Sequence, residues 1–238
     1  MRTWFFAFAS LALSGIAPAA DTSMHAEFRW RVVINAQGSI TSITPAPYEN
    51  INQLKQIRRR LEAEAKTFQF APGTVDGKPA ETRTGLHLST TLLRVGPDKV
   101  NIRLDCAGAG ASLLQARFPR FPADAIRAQK GGYVVLRIAY NANGAISSIA
   151  TDPRSHDATP ALIDASEKAV REWRIIPDTV GGQPLPGEAF APFCYRFDAH
   201  DAKACTGLPA CSDDTLPDSA TTTVHGAKLL TDVAGRTL

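Results

Sequence analysis

The chain holds 238 residues, 44% of them hydrophobic and 21% charged, with 26 Lys and Arg against 23 Asp and Glu. That near balance predicts no nucleic-acid partner, whose phosphates favour a basic excess. Beyond the first twenty residues no stretch is apolar for long enough to span a bilayer as a helix.

Residues 1–20 read as a secretory signal peptide. Arg2 gives a positive start, Trp4–Ile16 an apolar stretch, and Ala17-Pro18-Ala19-Ala20 a small-residue cleavage region ahead of Asp21. Cleavage near Ala19 or Ala20 places the product in the periplasm. The alternative is an uncleaved inner-membrane anchor, for which the apolar run is short.

Residues 21–95 form the first folded stretch. Phe28, Trp30, Val32 and Ile34 alternate with Arg29, Arg31, Val33 and Asn35, the period-two pattern of a half-buried strand. Asn35-Ala36-Gln37-Gly38 is a hairpin turn with Gly where φ is expected to be positive, and Ser39–Ile43 is the return strand. Asn50, with Gln53 three residues on, is placed to cap a helix. Its apolar stripe is Leu54, Ile57, Leu61, Ala65 and Phe68. Pro72 ends the pattern, Gly77-Lys78-Pro79 is a loop, and Leu86, Leu88, Thr90 and Leu92 mark a last strand. In residues 96–118, Val100–Leu104 adds a strand after the Gly96-Pro97-Asp98 turn, and Ala107–Ser112 reads as a small-residue linker.

Residues 119–197 repeat this order. Val134, Leu136, Ile138 and Tyr140 alternate with Val135, Arg137, Ala139 and Asn141. Asn141-Ala142-Asn143-Gly144 turns the chain and Ala145–Ile149 returns it. Thr159 is placed to cap a helix that Pro160 opens, with Leu162, Ala165, Ala169 and Trp173 on one stripe. Pro177 ends it, Gly182-Gln183-Pro184 is a loop, and Phe190–Phe197 is the last strand. The correspondence is positional. Asn35–Gly38 returns as Asn141–Gly144 at an offset of 106, and Pro72, Val75, Gly77 and Pro79 return as Pro177, Val180, Gly182 and Pro184 at an offset of 105. Matches at a near-constant offset indicate one supersecondary unit present twice. The expected fold is α+β, two tandem ββαβ units, each an antiparallel sheet with a helix on one face. Residues 198–238 contain no aromatic side chain and are expected to form an irregular tail.

Chemistry-bearing residues are sparse. Cys106, Cys194, Cys205 and Cys211 are an even set in an exported chain, which suggests disulfides. Sequence leaves three pairings open; the short Cys205–Cys211 loop favours that pair, and with it Cys106–Cys194. His25, His87, His156, His200 and His225 are scattered. No His-Glu-x-x-His, Gly-x-Ser-x-Gly or phosphate-loop pattern occurs, so no metal, cofactor or catalytic residue is expected. Asp213-Asp214 reads as solvated acid. Arg58-Arg59-Arg60 with Lys55 reads as an exposed helix face balanced by Glu62 and Glu64 rather than a site for an anionic polymer. Trp30 and Trp173 fall on core stripes.

Ahead of the second unit stands Pro119-Arg120-Phe121-Pro122-Ala123-Asp124-Ala125, followed by Gly131-Gly132 and the strand Tyr133–Tyr140. Further on come Trp173-Arg174-Ile175-Ile176-Pro177 and Gly182-Gln183-Pro184. Together these resemble the C-terminal domain of TonB-type energy transducers. The first unit shows the same order from Trp30 to Pro79, with Phe68-x-x-x-Pro72, but lacks the Pro-aromatic-Pro lead-in. The resemblance implies a non-enzymatic periplasmic binding module. In that family an extended segment of an outer-membrane transporter adds a strand to the sheet edge, where backbone groups supply the affinity. It implies that Phe121 and Pro122, with Phe193, Tyr195 and Phe197 on the last strand, bind a partner. The implied partner is an envelope protein, foremost a TonB-dependent outer-membrane transporter; a second copy of the chain is a further candidate. A full transducer also has a membrane helix and a Pro-rich spacer, whereas here Asp21 leads almost directly into the first strand, so energy coupling is not expected. The alternative function is a periplasmic hydrolase whose site matches no short motif.

Overall fold

A computed structural model describes residues 23–47, 54–96, 99–115, 117–197 and 224–238. The signal-peptide region, Asn50, Gln53, Pro97, Asp98, His200, Cys205, Cys211 and Asp213-Asp214 lie outside the described residues. Along the chain run β1 (Ser23–Ile34), β2 (Ile40–Pro45), α1 (Lys55–Ala65), β3 (Phe70–Ala71), β4 (Thr74–Val75), β5 (Lys78–Pro79), β6 (Thr82–Arg94), β7 (Val100–Gly110), β8 (Ser112–Gln115) and α2 (Ala123–Arg127). There follow β9 (Gly132–Tyr140), β10 (Ile146–Thr151), α3 (Pro160–Val170), β11 (Arg174–Ile176), β12 (Thr179–Val180), β13 (Gln183–Pro184), β14 (Gly187–Tyr195), β15 (Val224–His225) and β16 (Lys228–Leu229). The fold is α+β, mostly antiparallel sheet with a few short helices. No helix among the described residues is long and apolar enough to cross a membrane.

Alternation carries the first sheet. Phe28, Trp30, Val32 and Ile34 of β1 are buried, and the residues between them are not. β1 pairs antiparallel with β2 on one side and β6 on the other. Leu61, Ala65 and Phe68 close the core from the helix side. Arg58 departs from the expected exposed face. It is buried, with its guanidinium 5.2 Å from the Phe28 ring and 5.6 Å from that of Trp30, while Arg59 and Arg60 stay exposed. Leu54, at φ 53°, holds the N-cap position of α1. In the second unit β9 lies between β10 and β14, with α3 buried through Leu162, Ser166, Ala169 and Val170. Thr159 is the N-cap residue and Pro160 opens the helix as expected, but the Thr159 side chain makes no capping bond.

The two stretches share local geometry. Asn35 Oδ1 accepts from the Gln37 and Ser39 amides at 3.0 Å each, and Asn141 Oδ1 from those of Asn143 and Ala145 at 3.2 and 3.1 Å. Gly38 (φ 83°) accepts from the Phe70 amide at 2.9 Å, as Gly144 (φ 78°) does from Ile175 at 3.2 Å. The segments expected as loops are two-residue hairpins. Asp76 and Gly77 have φ 50° and 73°, Gly181 and Gly182 57° and 81°. Positive φ at both central residues is the turn whose twist suits a tight hairpin.

Three expectations change. β7 extends to Gly110 and pairs with β6 from Gly85↔Gly110 to Arg94↔Val100, so Ala107–Gly110 is strand rather than linker. The close approach demands glycine on the facing strand: a Cβ on Gly85 would lie 2.5 Å from the Gly110 carbonyl oxygen. The end of the chain is also tied down. β15 pairs with β4 and β16 with β3, Val233 is buried, and Ile102 and Leu238 exchange backbone hydrogen bonds of 3.2 and 2.8 Å. Finally, the last strand of the second unit is Gly187–Tyr195, beginning earlier than Phe190 and ending before Phe197. The units are joined through backbone, since β12 of the second pairs with β6 of the first and β11 pairs with β8. Cys106 and Cys194 are each disulfide-bonded.

Candidate functional site

The two sheets differ at one edge. In the first, the side of β6 away from β1 is covered by β7. In the second, β14 pairs with β9 and, among the described residues, with no other strand.

Hydrogen bonds on the far side of β9 show which way β14 presents its backbone. Tyr133 and His156 exchange N–H···O bonds of 2.9 and 3.0 Å, and the Asp152 amide donates to the Val135 carbonyl at 2.8 Å. Tyr133 and Val135 thus point away from β14. Successive strand residues turn their N–H and C=O to opposite sides, so Gly132, Val134 and Leu136 point toward it. Their partners Tyr195, Phe193 and Ala191 therefore spend their backbone groups on β9. Glu188, Phe190, Pro192 and Cys194 turn theirs outward. Pro192 has no N–H, so the row of outward donors is interrupted there, a device that blunts exposed edges.

Side chains follow the pleat. Ala191, Phe193 and Tyr195 are buried on the α3 side. Phe193 packs on Trp173, with centroids 5.7 Å apart, and the indole N–H of Trp173 donates to the Arg117 carbonyl at 2.8 Å. The Tyr195 hydroxyl meets Ser166 Oγ at 2.7 Å; burial pushes the phenol up from its ordinary pKa. Ser166→Ala leaves that hydroxyl its longer bond of 3.4 Å to the Leu162 carbonyl and is expected to cost about 1 kcal/mol in urea unfolding. A change below about 0.3 kcal/mol would show that the Leu162 carbonyl alone satisfies Tyr195.

Of the residues expected to bind, Phe193 and Tyr195 are core side chains. Phe121 and Phe197 come together at their end of β14: Phe121 lies 5.4 Å from the Tyr195 ring and 4.9 Å from that of Phe197, and Phe197 remains 46% exposed. Pro122 is the N-cap residue of α2, its carbonyl accepting from the Ile126 amide at 3.0 Å. On the opposite face of the sheet Arg154 sits 4.2 Å over the Phe190 ring and is fixed by Asp152, whose carboxyl it holds below the usual range. Glu188, Phe190 and Pro192 were not legible as edge groups, because N–H direction depends on register with β9.

One catalytic-looking alignment arises from three strands. Ser89 Oγ lies 3.1 Å from His25 Nε2, and His25 Nδ1 lies 3.5 Å from Asp105 Oδ2. The arrangement resembles a nucleophile, base and orienting acid. However, Ser89 is fully buried and sits mid-strand between β1 and β7, so an electrophile cannot reach Oγ. Asp105 is also engaged by Thr91 at 2.8 Å and Arg103 at 3.0 Å, the pattern of a polar lattice on a sheet face. A cleft of about 680 Å³ lies between Gln129–Gly132 and Asp157–Thr159, away from this group in the chain and bearing only Lys130 and Asp157 as charged residues. Neither feature supports a hydrolase. No group of His, Cys, Asp and Glu suited to a metal occurs among the described residues.

Residues 117–197 match the family model described as the Gram-negative bacterial TonB protein C-terminal. This part of the chain is a TonB C-terminal-like domain. Among solved structures, the solution structure of the Pseudomonas aeruginosa TonB CTD is similar at 22% identity, covering 37% of this chain and 87% of that one with a TM-score of 0.30. No curated protein matches the chain.

Proposed function

We propose, from residues 117–197 being a TonB C-terminal-like domain, that the chain is a non-enzymatic periplasmic protein-binding module holding this unit twice. It engages an envelope protein, foremost an outer-membrane transporter, by accepting an extended segment along β14. The observation that carries the reading is the contrast between edges: β7 covers β6, whereas β14 has a strand on one side only among the described residues. The duplication is supported by the paired Asn turns and the paired positive-φ hairpins. Phe121 and Phe197 flank the proposed contact.

The test separates backbone from side chain at one residue. Phe190→Pro deletes an outward donor, while Phe190→Ala keeps the N–H and loses the ring. Crosslinked capture of the envelope partner is expected to fall at least about fivefold for Phe190→Pro, roughly the 1 kcal/mol of one net hydrogen bond, and to change little for Phe190→Ala. Both variants must keep the parental circular dichroism. Equal capture by a folded Phe190→Pro would move the site elsewhere. Position 195 is unsuitable for this probe, because the Tyr195 amide faces β9 and proline there would break the ladder.

A further inference from the structure

In each unit a short strand lies on the segment that follows the helix, and the two strands are one piece of sequence used twice. In the second unit β8 pairs with β11, Leu113 opposite Ile175 and Ser112 opposite Ile176. In the first, β16 pairs with β3, Leu229 opposite Phe70 and Lys228 opposite Ala71. Phe70 and Ile175 are equivalent, because their amides donate to Gly38 and Gly144 of the paired turns. Leu229 therefore falls on Leu113 and Lys228 on Ser112. This aligns Gly226-Ala227-Lys228-Leu229-Leu230 with Gly110-Ala111-Ser112-Leu113-Leu114, which differ only at Lys228 and Ser112. The side chains agree. Ala227 and Leu229 pack on the first core as Ala111 and Leu113 do on the second, while Leu230 and Leu114 are exposed. Farther on, Arg236 reaches Glu64 at 3.4 Å and Arg117 reaches Glu172 at 2.6 Å. The difference lies in the connection. β8 directly precedes the unit it serves, whereas β16 serves the first unit from beyond the second, across residues 198–223.

We propose that the first unit carries a separate peptide site, running along β3 and the outer edge of β7, and that residues 226–238 occupy it as a detachable ligand. The site is built at both ends. On β3 the Leu230 amide donates to the Gln69 carbonyl and the Gln69 amide to Thr231 Oγ1, both at 2.8 Å. On β7 the Leu104 amide donates to the Arg236 carbonyl and the Gly235 amide to the Leu104 carbonyl, again at 2.8 Å. Between them Val233 is buried in the first core, with Leu229 and Leu238 packed against it. The ligand class is thus an extended segment with Gly-Ala-x-Leu at its start and apolar anchors four and nine residues after that leucine. Backbone pairing supplies reach and the anchors supply choice. When the segment leaves, the outer edge of β7 loses its cover, so its occupancy decides whether the first sheet ends in an open strand. This site is remote in sequence from β14 and stands whether or not a partner joins that strand.

The test cuts the covalent link and asks whether the segment stays. A protease recognition sequence is placed after Pro217 in the full-length protein and cleaved once the chain has folded. The fragment from Asp218 onward holds no cysteine, so no disulfide can retain it. On size-exclusion at about 10 μM the fragment is expected to coelute with the body, as a ligand of micromolar affinity or better does. Its release from the parent protein at this concentration overturns the inference. The same cut protein carrying Leu229→Asp and Val233→Asp is expected to lose the fragment, with affinity at least about 100-fold lower because two apolar anchors are gone; retention of the substituted fragment overturns the recognition. A fluorescent peptide of residues 224–238 is then added to the emptied body. It is expected to bind, and the same peptide with Leu229→Asp is expected not to; equal behaviour of the two overturns the site. Circular dichroism of the emptied body separates a ligand from a structural strand. A body that unfolds when the fragment leaves, or a doubly substituted chain that never folds, overturns the inference, because the segment is then part of the fold and not an occupant of it.

Discussion

Trp30→Ala is expected to lower the stability of the folded chain by about 4 kcal/mol, near the middle of the range for deleting a large aromatic from a packed core. Trp30 is fully buried. Its ring stacks on Phe28 with centroids 6.0 Å apart and an interplanar angle of 17°, and the Arg58 guanidinium lies 5.6 Å from its ring centroid. The indole N–H donates to Glu62 Oε1 at 2.8 Å, tying β1 to α1. Removing the ring opens a cavity between sheet and helix that neither element can close without breaking its own hydrogen bonds. Trp30→Phe keeps most of the apolar contact and loses the donor to Glu62, so its expected cost is smaller, about 1–2 kcal/mol. Urea unfolding reads both as shifts in midpoint at unchanged slope. A cost below about 2 kcal/mol for Trp30→Ala would mean that the helix relaxes onto the sheet and that the first unit is not held together in this way.

What was legible in the sequence is what repeats with a short period. The alternation in Phe28–Ile34 and Val134–Tyr140 located both central strands and their buried faces, because the pleat alone decides them. The prolines at 72 and 177 do not mark the helix ends: α1 stops at Ala65 and α3 at Val170, and the strands β3 and β11 stand between each helix and its proline. What was not legible depends on pairing between distant segments. β7 runs through Ala107–Gly110, a composition that reads as linker, because its pairing with β6 is not visible in its own residues. β16 and β11 are short pieces whose partners β3 and β8 lie far along the chain, and no local pattern announces them. Ser89, His25 and Asp105 meet for the same reason, from three strands with no common spacing.

The edge itself shows the limit most clearly. Alternation puts Phe193, Tyr195 and Phe197 on one apolar face; Phe193 and Tyr195 do share the buried face of the last strand, whereas Phe197 lies beyond its end and is 46% exposed. It does not say which residues turn their N–H groups outward, because that follows from register with β9. Asp76-Gly77 is a different kind of miss: its hairpin signal is local and strong, but the strands on either side, β4 and β5, are two residues each, too short to show alternation.

The duplication is tested by four glycines. A Cβ on Gly38 would lie 2.0 Å from the Phe70 carbonyl oxygen, and one on Gly144 would lie 2.0 Å from that of Ile175. Both residues have positive φ, 83° and 78°. Alanine at either position meets the strain of the left-handed region and a backbone clash that rotamer change cannot relieve. To escape, the segment after the helix must withdraw, breaking the bond from the Phe70 amide to Gly38 or from the Ile175 amide to Gly144. The expected cost is about 3 kcal/mol for each, from conformational strain together with a lost buried hydrogen bond. Gly77 and Gly182, at φ 73° and 81°, have nothing within 4 Å of a Cβ, so Gly77→Ala and Gly182→Ala carry strain alone and are expected to cost about 1 kcal/mol. If one unit is present twice, Gly38 should behave as Gly144 does and Gly77 as Gly182 does, with the two pairs well separated in unfolding midpoint. A tolerant Gly144 beside an intolerant Gly38 would mean that the second turn packs loosely and that the repeated motif no longer fixes the same contact.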